Sequence, residues 1–110
     1  MQNAVKNKGQ GTDYLPVVLL RRASVELSAG QPDRAEKDSR QALQILQAST
    51  RPGMPSCYMG EAHLTLGRAM QAVNQPYQAR AAFRLAAEEF EKAIGPDSPN
   101  TRLARQLSGM

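Results

Sequence analysis

The 110-residue chain contains one cysteine, one histidine and no tryptophan. A single thiol, Cys57, cannot build a disulfide framework or a cysteine metal cage. A single imidazole, His63, leaves a His-rich metal site or a Ser-His-Asp triad without enough members. Aromatic residues are only 5% of the chain, too few for an aromatic-rich β-sandwich. The longest apolar run is Val17, Val18, Leu19 and Leu20, preceded by Leu15 and Pro16. A membrane-spanning helix needs about 20 apolar residues, so no span is expected. The run is also too short and too far along the chain for a secretory signal, which makes the cytoplasm the expected location. Gly-rich phosphate loops, carboxylate dyads and nucleophile motifs are missing as well. Neither catalysis nor a cofactor nor a metal is therefore expected.

What the chain does have suits helices. Hydrophobic residues make up 41% and charged residues 22%, ordinary for a globular domain. Alanine and glutamine, good helix formers, are plentiful. The length fits one small domain or a short array of repeats. The net charge of +4 is spread along the chain without a block of like sign. A phosphate-binding footprint clusters on one face, so nucleic acid is the weakest of the partner readings.

Turn signals punctuate the chain at Gly30-Gln31-Pro32-Asp33, Arg51-Pro52-Gly53-Met54-Pro55, Asn74-Gln75-Pro76 and Gly95-Pro96-Asp97-Ser98-Pro99. The stretches between them carry apolar residues in steps of three and four, the period of one helix face. Those faces are Leu15, Val18, Leu19, Val25 and Ala29; then Ala35, Ser39, Ala42, Leu43 and Leu46. The third is Met59, Ala62, Leu66, Ala69, Met70 and Val73; the fourth is Ala79, Ala82, Phe83, Ala86, Phe90 and Ile94. Pro32, Pro76 and Pro99 suit a first helical turn, where a missing N–H costs nothing. Gly30 and Asn74 suit a left-handed helix end, and Ser98 suits an N-cap. Residues 1–12, polar and carrying Gly9 and Gly11, read as a mobile N-terminal arm.

A shift of 44 residues superposes the turns. Gln31-Pro32 falls on Gln75-Pro76, Ala35 on Ala79, Arg40 on Arg84, Ala42 on Ala86, Pro52 on Pro96 and Pro55 on Pro99. Tyr14 falls on Tyr58 and Leu20 on Leu64. Such matches at turns and helix contacts are the mark of stacked helix–turn–helix units. In the second unit, Leu66-Gly67, Ala79, Phe83 and Ala86, with Asn74-Gln75-Pro76-Tyr77 at the turn, resemble the tetratricopeptide repeat. The first unit keeps Ala23, Ala35 and Ala42 but has Arg22 and Ser39 where the family has Leu and an aromatic. The long repeat and the Gly95-Pro96-Asp97-Ser98-Pro99 loop are similar to the kinesin light chain-like subclass, with Ser98 in place of its His. The first copy of that loop keeps only its prolines.

The resemblance implies an all-α fold, a right-handed stack of antiparallel hairpins (a TPR-like α-solenoid). It would comprise hairpins 13–50 and 55–94 and a short capping helix 98–108, one domain over 13–110. It also implies a concave groove lined by the first helix of each hairpin. The groove positions are then Val17, Leu20, Arg21 and Ser24, with Glu61, Leu64, Thr65, Arg68 and Gln71, and Tyr14 and Tyr58 extend the surface. Leucine and tyrosine offer apolar area, and arginine offers charge-assisted hydrogen bonds to an acidic or carboxylate-bearing segment. The family's Lys/Asn clamp is absent, since Leu20 and Ser24 stand in its place.

The expected function is a non-catalytic module that binds a peptide or protein segment. The alternative is a homo-oligomer, or part of a longer array, joined through incomplete repeat ends. Arg22 and Glu26, at positions equivalent to Leu66 and Met70, suit a terminal repeat facing water and are spaced to pair with each other. His63 and Tyr77 read as packed residues, Cys57 as an inert thiol, and Glu88, Glu89 and Glu91 as a solvated acidic face. Leu103 and Leu107 are placed to cover the last hairpin.

Overall fold

The protein is described by a computed structural model covering residues 8–49 and 56–109, with side chains over 15–48 and 56–109. Residues 1–7 of the N-terminal arm, the first loop at 51–55 and the side chain of Tyr14 lie outside the described residues. Five α-helices and no strand occur among the described residues: α1 (Lys8–Ser28), α2 (Pro32–Ser49), α3 (Cys57–Ala72), α4 (Pro76–Ile94) and α5 (Pro99–Ser108). The first helix starts at Lys8, inside the segment read as an arm, and runs through Pro16. Each helix packs against the next, and α1 also meets α3.

Proline sets where three of the helices begin. Pro32, Pro76 and Pro99 are each a first helical residue, where φ is already fixed near the helical value and the missing N–H had no intrahelical acceptor. At the N-terminus of α3 the cap is a side chain. Ser56 Oγ accepts from the Met59 amide at 3.2 Å, satisfying one of the orphan donors of that helix end. Ser98 stands at the N-cap of α5 but makes no side-chain cap bond; its carbonyl instead accepts from Arg102 N.

The two tight turns are built alike. Gly30 has φ +77° and Asn74 has φ +66°, both left-handed. In the first turn, Gly30 N donates to Leu27 O and Gln31 N to Glu26 O. In the second, Asn74 N donates to Gln71 O and Gln75 N to Met70 O. This is the Schellman pairing, which satisfies carbonyls that a helix end leaves open. Every donor and acceptor in one turn lies 44 residues from its counterpart in the other.

The main core joins Leu19 and Leu20 of α1, Ala42, Leu43 and Leu46 of α2, Ala62, Leu66 and Met70 of α3, and Ala79, Ala82 and Phe83 of α4. A second cluster of Ala86, Ala87 and Phe90 with Ala104 seats α5 on α4. A third, Ala23, Ala35 and Ala69, lies where α1, α2 and α3 approach one another. Alanine there lets three backbones come close without leaving a void. A close approach joins α3 and α4, where Gly60 faces the Phe90 ring and Gly67 faces the Phe83 ring. Phe83 and Phe90 are 1% and 0% exposed, and each such burial stabilises the fold by about 1.5–3 kcal/mol. Leu107 packs against the main core.

Five expectations need correction. In α1, Leu15, Val18 and Val25 are exposed, by 38%, 54% and 66%, and Ala29 is exposed too. The buried face is instead Pro16, Leu19, Leu20 and Ala23. An unbroken apolar run fixes no helical phase, and contact with α2 and α3 sets it here. Arg22 binds Asp38 of α2 rather than Glu26, because a buried carboxylate demands its charge partner. Ile94, on the last turn of α4, is 42% exposed; Tyr77, in the first turn of α4, is 85% exposed rather than packed. Of the acidic run, Glu91 pairs with Arg105, Glu89 accepts from the Ser56 amide at 3.4 Å, and Glu88 faces solvent.

Candidate functional site

A groove runs between α1 and α3. Its main part, about 440 Å³, is lined by Val17, Leu20, Arg21 and Ser24 from α1 and by Tyr58, Glu61, Leu64 and Thr65 from α3. A continuation of about 260 Å³ shares Ser24, Leu64 and Thr65 and adds Leu27, Ser28 and Arg68. The two helices supply residues at spacings of three and four, so each wall is one helix face. The two walls meet where α1 packs against α3.

Nine of the residues implied by the resemblance therefore lie together: Val17, Leu20, Arg21, Ser24, Tyr58, Glu61, Leu64, Thr65 and Arg68. Gln71 is exposed and lines neither part. Leu27 and Ser28 line the groove and were not foreseen. The signal that would have found them is the α1 face that runs from Leu20 through Ser24 by steps of three and four.

The floor is apolar and firm. Leu20 is 7% exposed and belongs to the main core, while Leu64 packs against both the main and the second cluster. Tyr58 stands at the rim, 49% exposed. Thr65 Oγ1 donates to the Glu61 carbonyl at 2.9 Å, which leaves its methyl group and oxygen lone pairs for the groove.

Charge is asymmetric along the groove. Glu61 on α3 and Arg21 on α1 both line the main part. Burial pushes the Glu61 carboxyl above its ordinary range, and the Arg21 guanidinium pulls partly against that shift. Arg68, in the continuation, is exposed and makes no hydrogen bond or ion pair with the described residues. The main part thus mixes apolar surface with a carboxyl group and the Arg21 guanidinium, and the continuation presents the Arg68 guanidinium with five donors to offer.

Two side chains with reactive chemistry, Cys57 and His63, lie on α3. Burial raises the Cys57 thiol, and Glu61 raises it further, so the nucleophilic thiolate is suppressed. His63 is 9% exposed, and its Nδ1 has no hydrogen-bond partner among the described residues. Burial lowers its pKa, which keeps the ring neutral. Among the described residues no group of three or more side chains gathers that could hold a metal, and no helix is long and apolar enough to cross a membrane. No protein-family model matches the chain, and neither does any curated protein or solved structure compared with it.

Proposed function

We propose that the chain is a tetratricopeptide-like stack of helical hairpins that binds a peptide or protein segment in the α1/α3 groove, without catalysis. The observation that carries this reading is the groove itself. Apolar Val17, Leu20 and Leu64 lie in it beside Tyr58, with Arg21 and Arg68 on opposite walls. Apolar anchors flanked by arginine give a segment both contact area and orientation. The matched Schellman turns and the helix-to-next-helix packing support the stacked-hairpin part of the reading. An acidic segment fits best, since Arg68 brings an unspent positive charge.

The test is a display of random dodecapeptides against immobilised protein, with Tyr58→Ser and Arg68→Glu as comparisons. Both positions are exposed, so circular dichroism should show the fold intact. Wild type should select a carboxylate-bearing peptide set that both variants lose. Selection of the same set by all three proteins would remove the groove from consideration.

A second reading, self-association, rests on the exposed stripe Leu15, Val18 and Val25 along α1. It requires a mass that rises with concentration in analytical ultracentrifugation and returns to the monomer value in a Val18→Glu, Val25→Glu variant. A constant monomer mass across the concentration range would reject it.

A further inference from the structure

The seam between α1 and α2 contains a polar cluster. Arg22 Nε donates to Asp38 Oδ2 at 2.8 Å, and Arg22 Nη2 donates to Asp38 Oδ1 at 3.0 Å. Asp38 is 5% exposed. One turn beyond Arg22 on α1, Glu26 turns its Oε1 atom inward, where it is shielded from solvent and has no donor among the described residues. A bare carboxylate oxygen in that position is costly, because it has given up water and gained nothing. A carboxylic acid is not, because its O–H can donate to a neighbouring carboxylate.

We propose that Glu26 and Asp38 share one proton in the folded chain, which makes the α1–α2 seam a proton-responsive fastening, firmest in mildly acidic solution. The groups around the pair agree. Burial raises the Glu26 carboxyl, and the neighbouring Asp38 carboxylate raises it further, against a downward pull from Arg22 and Arg34. Arg22 holds Asp38 below its ordinary range, with help from Glu26 and Lys37 and against burial. From α3 the neighbour at this end of α1 is Ala69. The charged side chains of α3 that approach α1, Glu61 and Arg68, line the groove.

The two carboxyls work in opposite senses. Glu26 has a folded pKa above its unfolded one, so the native chain holds the extra proton. Its contribution is complete below the ordinary glutamate range and is lost as pH rises through the folded value. Asp38 has a folded pKa below its unfolded one. Its contribution is present above the ordinary aspartate range and is lost as pH falls through the folded value. The seam is therefore firmest between the two. Above that window both carboxylates are charged, and they repel across the seam. Because α1 also forms one groove wall, loosening the seam frees that wall, but the proposal does not depend on what the groove holds.

The experiment is carboxyl-carbon NMR titration of Glu26 in wild type and in Asp38→Asn, with thermal melts of wild type and Glu26→Gln between pH 4 and pH 8. The Glu26 midpoint should lie above that of glutamate in an unstructured peptide and should fall in Asp38→Asn. A glutamine amide donates to Asp38 at every pH. The melting temperature of Glu26→Gln relative to wild type should therefore rise as pH is raised from the ordinary glutamate range through the folded Glu26 midpoint, and level off above it. If Asp38→Asn does not fold, the wild-type midpoint and the Glu26→Gln comparison decide. A Glu26 midpoint at the unstructured value, or Glu26→Gln and wild-type melting profiles that run parallel across the range, would overturn the proposal.

Discussion

Replacing Gly67 with alanine tests the α3–α4 contact. In an open helix the change would stabilise by about 0.8–1 kcal/mol, because glycine is the poorer helix former. Here a methyl group at position 67 would sit 2.6 Å from Phe83 Cε1, 2.7 Å from Cδ1 and 3.1 Å from Cζ. The nearest of these falls about 1 Å short of ordinary contact between carbon atoms. The Phe83 ring is 1% exposed and has no free volume to retreat into. Overpacking of this kind costs about 1–3 kcal/mol. The net expectation is a destabilisation of about 1 kcal/mol, or a fall of roughly 5 °C in melting temperature for a domain of this size. Thermal melts and urea titrations measure it. A double-mutant cycle with Phe83→Leu sharpens the test. Leucine lacks the far edge of the ring, so Phe83→Leu should cost about 1 kcal/mol less when position 67 is already alanine. A Gly67→Ala protein that melts above wild type, with no coupling to Phe83, would refute the tight packing argued for α3 and α4.

Two further outcomes follow from the structure. Ser56→Ala removes the acceptor for the Met59 amide and should lower stability by about 1 kcal/mol, read as a shift in the urea midpoint at constant slope. His63 has a folded pKa below its unfolded one, so its stabilising contribution is present above the ordinary histidine range, near pH 6.5, and is lost as pH falls towards the folded value. His63→Phe at that buried site is expected to remove this acid-side loss, and imidazole proton titration should give a midpoint below 6.5; a midpoint at or above 6.5 would contradict the burial assigned to the ring.

Local chemistry made much of the fold legible. Pro32, Pro76 and Pro99 each open a helix because a proline costs nothing in the first turn, whereas Pro16, inside α1, removes a helix hydrogen bond. Gly30 and Asn74 end helices because few other residues tolerate a positive φ. The faces of α2 and α3 are legible from spacing, because alanine and leucine alternate there with strongly polar residues. In α1 that contrast fails. From Leu15 to Leu20 the sequence is apolar on all sides, so periodicity cannot choose between Val18 and Leu20, and tertiary contact makes the choice. Burial of Asp38 was equally illegible, since it depends on a guanidinium 16 residues earlier in the chain. Most of the groove could be placed because a resemblance assigned positions by register. Leu27 stands 44 residues before Gln71 and so on that register, yet it was not assigned to the groove, and Ser28 fell outside the register. Gly60 was overlooked because its need for a missing side chain is visible only once Phe90 is seen lying against it.

The order in which the helices touch has a consequence for how the chain folds. Its principal contacts join each helix to the next, and α1 to α3. No helix waits for a distant stretch of chain before it can bury its apolar side. Loop closure is therefore inexpensive, and folding should be fast for a domain of this size. The same order localises damage. Loss of α5 strips cover from Ala86, Ala87 and Phe90 on α4, while the Ala23, Ala35 and Ala69 contact at the other end keeps all its partners. Amide hydrogen exchange should then follow position in the stack, with the α5 end opening well before the protein unfolds globally.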